Sequence, residues 1–320
     1  MKHIKINVYR LMPLNLLCIL VGLIIFPQKN AFSQVNSKPT ISFTFDDGSI
    51  DDIGAYKLEV WNQMLLDNLK KHELKAILFS AGGNKSTAKG KYVLSSWNNA
   101  GHFIANHTIS HPNFNSKNVS LESFKLELTQ NDAVINKYSN YLPYFRFPYL
   151  KEGNTPEKVN GFRKFLIEKG YKNGHVTIDA SDWYVDSRLV KRLKENPKAD
   201  ITGFRAFYKE HLFNRAVFYD SLSYQMTNRH INHVILLHHN LVGALFLGDL
   251  IQHFKDKGWD VIDADKAYKD TIFEADVDNI PAGESLIWAL AKKSGKFNTV
   301  LRYPAEDGDY EKPLMDKLGL

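Results

Sequence analysis

The stretch Thr40-Ile41-Ser42-Phe43-Thr44-Phe45-Asp46-Asp47-Gly48 alternates β-formers and then ends abruptly in two carboxylates and a glycine. Alternation of this kind predicts a strand over 40–45, and the polar tripeptide marks its end. Working outward, the same pattern recurs. Apolar positions Trp61, Leu65 and Leu69 predict an amphipathic helix over 54–72. Further strands are expected at 75–80, 102–105, 144–147, 175–178, 233–237 and 259–262. Helices are expected at 86–99, 120–140, 155–169 and 241–257, with a long, mostly helical stretch at 184–231. Strands alternating with helices indicate a parallel α/β arrangement, plausibly a barrel. Asp46-Asp47, His107, Arg146, Asp179 and His238 each follow directly after an expected strand. The C-terminal strand ends are the working face of such folds.

The start of the chain is of a different kind. Lys2, Lys5 and Arg10 precede an apolar run from Leu14 to Phe26, and Ala31-Phe32-Ser33 has the small-x-small form of a cleavage site. This order predicts a secretory signal peptide over 1–33, with a run too short to span a bilayer. Export to the periplasm or beyond is expected, with no transmembrane span in the mature chain. Removal of 1–33 takes away the only cysteine and four basic residues, leaving 37 Lys and Arg against 35 Asp and Glu. The basic balance of the whole chain therefore gives no reason to expect a nucleic-acid partner. The division that follows is a signal peptide over 1–33, a linker over 34–39, an α/β domain over 40–270 and a C-terminal extension over 271–320.

Two motifs carry chemistry. Adjacent carboxylates at Asp46 and Asp47 point different ways, so one can ligate a metal while the other acts as a base; Asp-Asp-Gly is also ordinary turn chemistry. His107 and His111 stand at i and i+4, and on one helical turn they would face the same way. Two histidines and a carboxylate make a three-ligand site with open positions. That set suits catalytic zinc and equally a non-heme iron centre. His238 ends an apolar strand and is suited to general-acid work. Alternation directs His239 the other way.

These residues resemble a family. Thr44-Phe45-Asp46-Asp47-Gly48, His107-Thr108-Ile109-Ser110-His111-Pro112, Arg146-Phe147-Pro148-Tyr149, Asp179-Ala180-Ser181-Asp182-Trp183 and Leu236-Leu237-His238 are similar, in order, to the motifs of polysaccharide deacetylases. These are the NodB-homology domains of carbohydrate esterase family 4. The resemblance runs from about Thr40 to Asp265. It implies a distorted (β/α) barrel as a single catalytic domain with a helical insertion, and removal of acetyl groups from a glycan. It implies one divalent metal, zinc first and cobalt, nickel or iron as alternatives, on Asp47, His107 and His111. It casts Asp46 as base, Arg146 as the residue orienting that base, and His238 as acid. The Tyr149 main-chain N–H becomes an oxyanion donor, Asp182 the support of the acid, and Trp183 and Pro148 pocket walls. The chain departs from common family patterns at Phe103, in the second strand and at His239, none of them a catalytic position.

The implied substrates are peptidoglycan, chitin-like oligomers or poly-N-acetylglucosamine. An O-acetyl esterase acting on acetylated xylan and a catalytically silent glycan-binding module are the alternatives. The aromatic residues of 184–231 (Phe204, Phe207, Tyr208, Phe213, Phe218, Tyr219) are expected to be core at their helical spacing rather than sugar platforms.

Overall fold

The alternation in β1 (Thr40–Asp47) sorts side chains by parity. Ile41, Phe43 and Phe45 enter the cluster packed beneath the surrounding helices. Thr40, Ser42 and Thr44 point the other way and donate their hydroxyls to the carbonyls of Ile231, His233 and Ile235. The neighbouring strands repeat the rule. Leu78, Ile235 and Leu237 lie in the outer cluster, whereas Ile77, Phe79, Val234 and Leu236 form the inner one. Both faces of the sheet are thus buried, as parallel α/β sheets require.

The structure is a computed structural model and describes residues 38–320; the predicted signal peptide and most of the predicted linker lie outside the described residues. The elements in order are β1, α1 (Leu58–Lys71), β2 (Ile77–Ser80), α2 (Ala88–Asn99), β3 (Phe103–Asn106), α3 (Leu121–Ile135), β4 (Tyr141–Phe145), β5 (Lys151–Gly153), α4 (Pro156–Glu168) and β6 (Lys172–Asn173). They continue as α5 (Asp182–Glu195), α6 (Thr202–Thr227), β7 (Asn232–His238), α7 (Leu241–Asp256), β8 (Asp260–Val261), α8 (Ala264–Ala267), β9 (Ala282–Gly283), α9 (Leu286–Ser294) and α10 (Gly308–Lys317). The main sheet is parallel, in the order β6-β4-β3-β2-β1-β7 with β8 also paired to β1. It curls into a distorted barrel, the α/β fold expected from the alternation. Among the described residues no helix is long and apolar enough to cross a membrane.

The expected strand at 175–178 takes a different form. The chain pairs with β4 at Lys172–Asn173 and next with β7 at Thr177 and Ile178, whose N–H groups donate to Val234 O. One short segment thereby joins the two edges of the curled sheet and cannot keep a continuous ladder with either. Gly174 lies in the gap, where a Cβ would stand 2.5 Å from the Phe79 ring. The 184–231 stretch divides into α5 and α6. Phe204, Phe207, Tyr208 and Tyr219 are buried, and Phe213 and Phe218 pack against the same core, so these aromatics are structural.

Residues beyond 270 belong to the same compact unit as the barrel. β9 pairs antiparallel with β5, and Gly283 (φ +127°) approaches so closely that a Cβ there would stand 2.0 Å from Leu150 O. Farther on, Glu306 is buried between Arg215 of α6 and Arg302, and Glu311 accepts from Arg302 at 2.7 Å. These contacts fasten the C-terminal segment to the helical insertion.

Close backbone approach also shapes the loop that carries the two histidines. The Gly82 N–H donates to Thr108 O at 2.9 Å, and a Cβ at Gly82 would lie 2.1 Å from Asn131 Oδ1. Gly82→Ala is expected to cost about 1–3 kcal/mol of stability, the usual penalty of forcing extra volume into a packed site. Urea unfolding would measure it, and Gly54→Ala, where nothing lies within 4 Å but φ is +58°, gives the size of a purely conformational penalty for comparison.

Candidate active site

Five strand ends converge on one cleft of about 520 Å³, lined by Asp46, Asp47, His107, His111, Tyr149, Asp179, Trp183 and His238 among others. Asp46 shares the inner face of β1 with Thr44, while Asp47 takes a left-handed backbone (φ 73°) as the strand ends. Left-handed conformations in non-glycine residues cost of order 1–3 kcal/mol and concentrate at functional sites. The histidine loop departs from the helical turn that the i,i+4 spacing suggests. No helix forms there; Thr108 (φ 67°) and His111 (φ 57°) are both left-handed. Hydrogen bonds from neighbouring elements hold the loop instead. Asn106 Oδ1 accepts from the Thr108 N–H, and Thr108 Oγ1 accepts from the His111 N–H. Glu127 of α3 accepts from the N–H groups of Ile109 and Ser110.

The result brings Asp47, His107 and His111 together, with one potential ligand atom from each lying within 4.8 Å of the others. His111 Nε2 is 3.4 Å and His107 Nε2 is 3.7 Å from Asp47 Oδ1. His107 Nδ1 lies 2.8 Å from the carbonyl of Arg146. That contact makes Nδ1 the protonated nitrogen and leaves the Nε2 lone pair facing Asp47, as metal-ligating histidines require. Burial pushes both imidazoles down to about 4, so they are neutral donors near neutral pH. Burial would raise Asp47, but His238, His107, His111 and Lys85 together hold it below the usual carboxylate range. Two neutral imidazoles and one carboxylate fit a divalent cation of the zinc type, with room left for a further ligand.

Asp46 is the partner of a buried guanidinium. Arg146 Nη1 donates to Asp46 Oδ1 at 2.6 Å and to Thr44 Oγ1 at 2.9 Å, and Nε donates to Gly174 O at 2.9 Å. The guanidinium also lies 3.8 Å from the centre of the Phe79 ring. Charge attraction alone predicts a depressed Asp46. Burial outweighs it, and the carboxyl sits above its ordinary value even with Arg146 and His238 acting to lower it. A cation on the neighbouring triad would act in the same direction as Arg146.

His238 ends β7, and its Nδ1 lies 2.7 Å from Asp182 Oδ1. Asp182 is fully buried at the start of α5, and its second oxygen accepts from the His238 N–H and from Asn240 Nδ2. Burial would lower His238, but Asp182, Asp47 and Asp46 together push it up to about 10. Its neighbour His239 turns into the core. His239 Nε2 contacts Asn62 Oδ1 at 2.9 Å, the ring packs on Trp61, and burial takes it down to about 3. Trp183 and Tyr149 are 43% and 57% exposed and line the same cleft, the Tyr149 ring edge-on to His111 at 4.6 Å. Tyr149 is left-handed (φ 57°). Pro148, expected as a pocket wall, is buried and is not among the residues that line the cleft.

Part of the cleft carries no signal in the sequence. Glu284, Pro304, Glu306 and Asp307 of the C-terminal segment line it, as does Lys151, which pairs with Glu284. Asp179 stands on the same wall and is held well above its ordinary value by burial and by Glu306 and Glu284. Burial raises Glu306 to about 7 against the pull of Arg215 and Arg302.

The architecture and the carboxylate–histidine cluster define a class that the comparisons specify. Residues 33–163 match the family model of polysaccharide deacetylase. Two peptidoglycan-N-acetylglucosamine deacetylases of Bacillus cereus are 30% and 31% identical over 154 and 158 residues, each match covering 48% of this chain. The chain spans about half the length of these relatives, 50% and 52%. In fold it is similar to the polysaccharide deacetylase Bc1974 from Bacillus cereus (TM-score 0.51, 21% identity, covering 71% of this chain and 92% of that one). It is likewise similar to the peptidoglycan N-acetylglucosamine deacetylase Bc1960 (TM-score 0.50, 21% identity, 73% and 89%).

Because His238 is raised by its folded-state partners, the pair contributes stability that is fully present below the unfolded value of about 6.5 and is lost as pH rises through about 10. In Asp182→Asn, His238 should titrate well below its value in the parent and the alkaline loss of stability should shrink. NMR titration of the imidazole in the metal-free chain, with unfolding curves at pH 6 and 10, measures both.

Proposed function

We propose that this chain is an exported, metal-dependent deacetylase that hydrolyses N-acetyl groups on a glycan. The observation that carries the reading is a single cleft in which a buried carboxylate, Asp46, and a carboxylate-held imidazole, His238, flank an open Asp47–His107–His111 triad. A divalent cation on that triad, zinc by its donor set with cobalt, nickel or iron as alternatives, would supply Lewis acidity toward the acetyl carbonyl and a lowered pKa for water. The remaining chemistry belongs to the chain. Asp46, oriented by Arg146, takes the proton of the attacking water. The Tyr149 main-chain N–H is the donor toward the developing oxyanion. His238, held protonated by Asp182, gives its proton to the departing amine, which is a poor leaving group without it. Trp183 and Tyr149 offer exposed rings on which a sugar can rest.

An acid poised in this way favours the amide over the ester, since an alkoxide leaves with less help. The names of the Bacillus relatives support N-acetylglucosamine as the sugar. Chitin-like oligomers, poly-N-acetylglucosamine and peptidoglycan all present that sugar. The basic and apolar start of the chain, Lys2 to Phe26, supports export to the periplasm or the exterior.

Residues 34–320, stripped with a chelator and reloaded with zinc, should release acetate from N-acetylglucosamine oligomers. Asp46→Asn should lower that rate at least about a hundredfold, and His238→Ala by roughly 10²–10⁴, the usual worth of a general acid. Acetylated xylan and peptidoglycan run in parallel decide the linkage and the glycan. Release from xylan alone, little affected by His238→Ala, would make the protein an ester hydrolase. Bound zinc without release from any of the three would favour a glycan-binding module. His107→Ala and His111→Ala should each lower zinc content by elemental analysis.

A further inference from the structure

The base has a support that no motif contains. Tyr268 follows α8 and lies outside the residues matched to the family. Its hydroxyl accepts from Arg146 Nη2 at 2.9 Å and donates to the His175 carbonyl at 2.9 Å. His175 lies in the segment that joins the two sheet edges, between the β4 pairing at Lys172–Asn173 and the β7 pairing at Thr177–Ile178. The ring itself is buried, stacked on Tyr144 with centroids 4.8 Å apart and packed near Phe273. The same rings line a separate cavity of about 530 Å³, with His175 and Phe273 among its other walls. Tyr268 thus lines that cavity and also contacts the guanidinium. Without it, Arg146 keeps Thr44 and Gly174 O as neutral partners, and Nη2 has no acceptor among the contacts described.

We infer that Tyr268 is a positioning residue for the hydrolytic reaction: its hydroxyl fixes the Arg146 guanidinium, and through it the carboxylate of Asp46, relative to the barrel-closing segment. The inference rests on the deacetylase reading above. Arg146 donates to Asp46 through Nη1 and to Tyr268 through Nη2, so a shift at one nitrogen of the planar fork rotates the other. A misplacement of the base affects the chemical step and leaves sugar binding at Trp183 and Tyr149 untouched.

The test is a double-mutant cycle on zinc-loaded protein with an N-acetylglucosamine oligomer. Tyr268→Phe keeps the ring and its stack and should lower kcat roughly ten- to hundredfold, the worth of a hydrogen bond to a charged group, with KM within about twofold. In an Arg146→Gln background the same change should cost less than about twofold, because the group it acts through is gone. Tyr144→Phe, which removes a neighbouring hydroxyl that Arg146 does not touch, should leave kcat at the parent value. An unchanged kcat in Tyr268→Phe, a loss of equal size in both backgrounds, or a loss that follows unfolding in a melting curve would each make Tyr268 a packing residue and overturn the assignment. A parent without acetate release would sink the deacetylase reading instead. In that event, urea unfolding of the same four proteins decides whether Tyr268 and Arg146 are coupled at all, and additive stabilities would overturn the contact itself.

Discussion

Burying Arg146 is the constraint around which the barrel is arranged. A guanidinium is always charged and carries five N–H donors, and an unpaired charge in an apolar interior costs several kcal/mol after relaxation. Here it is 1% exposed and stacked on Phe79. Its donors are met from three parts of the chain: Thr44 and Asp46 on β1, Gly174 in the closing segment, and Tyr268 after α8. β2 and β3 stand between β1 and β4 in the sheet, so Arg146 reaches Thr44 and Asp46 only across a curled sheet. The ion pair is a poor source of net stability by its own account, and it specifies which edges of the sheet must meet. The candidate base is fixed by the same contact, so closure of the fold and orientation of the carboxylate are one event.

How much of this could be read from the sequence follows from the range of the interactions. Alternation in Thr40–Phe45 and Val234–Leu237 is local, and it placed the strands and the residues at their ends. It also separated His238 from His239, one in the cleft and one against Trp61 and Asn62. The i,i+4 spacing of His107 and His111 brought the right residues together for a reason the structure does not share. Left-handed Thr108 and His111 have no glycine to announce them, and the loop is shaped by Asn106, Glu127 and the close pass of Gly82. The closing segment at 172–178 was legible as extended, but its divided loyalty to β4 and β7 depends on both sheet edges at once.

The C-terminal wall was illegible for a similar reason. Glu306 faces the cleft because Arg215, about 90 positions earlier on α6, and Arg302 hold it there, and Glu284 enters because β9 pairs with β5. Charged residues in irregular sequence carry no period, so nothing local distinguishes a pocket wall from a solvated tail. Tyr268 belongs to the same class: one tyrosine in a short helix-terminal turn acquires a role only when Arg146 arrives from β4.

The protonation of the site depends on the sheet register as much as on the residues. Asp46 and His238 are direct partners across β1 and β7. Each shifts the other toward its charged form: His238 lowers Asp46, and Asp46 raises His238. Burial opposes both, and the two groups escape it unequally. His238 has Asp182 at 2.7 Å and three carboxylates in all acting on it, enough to stay protonated. Asp46 has Arg146, yet remains above its ordinary value. The asymmetry suits the roles proposed for the two groups. An acid must hold its proton until the amine departs, whereas a base that is too weakly basic accepts none, so a carboxylate raised above its ordinary value is better matched to removing a proton from water. A one-residue slip of β7 against β1 would put His239 beside Asp46 and remove the Asp182 contact from the cleft, leaving the composition intact and the chemistry absent.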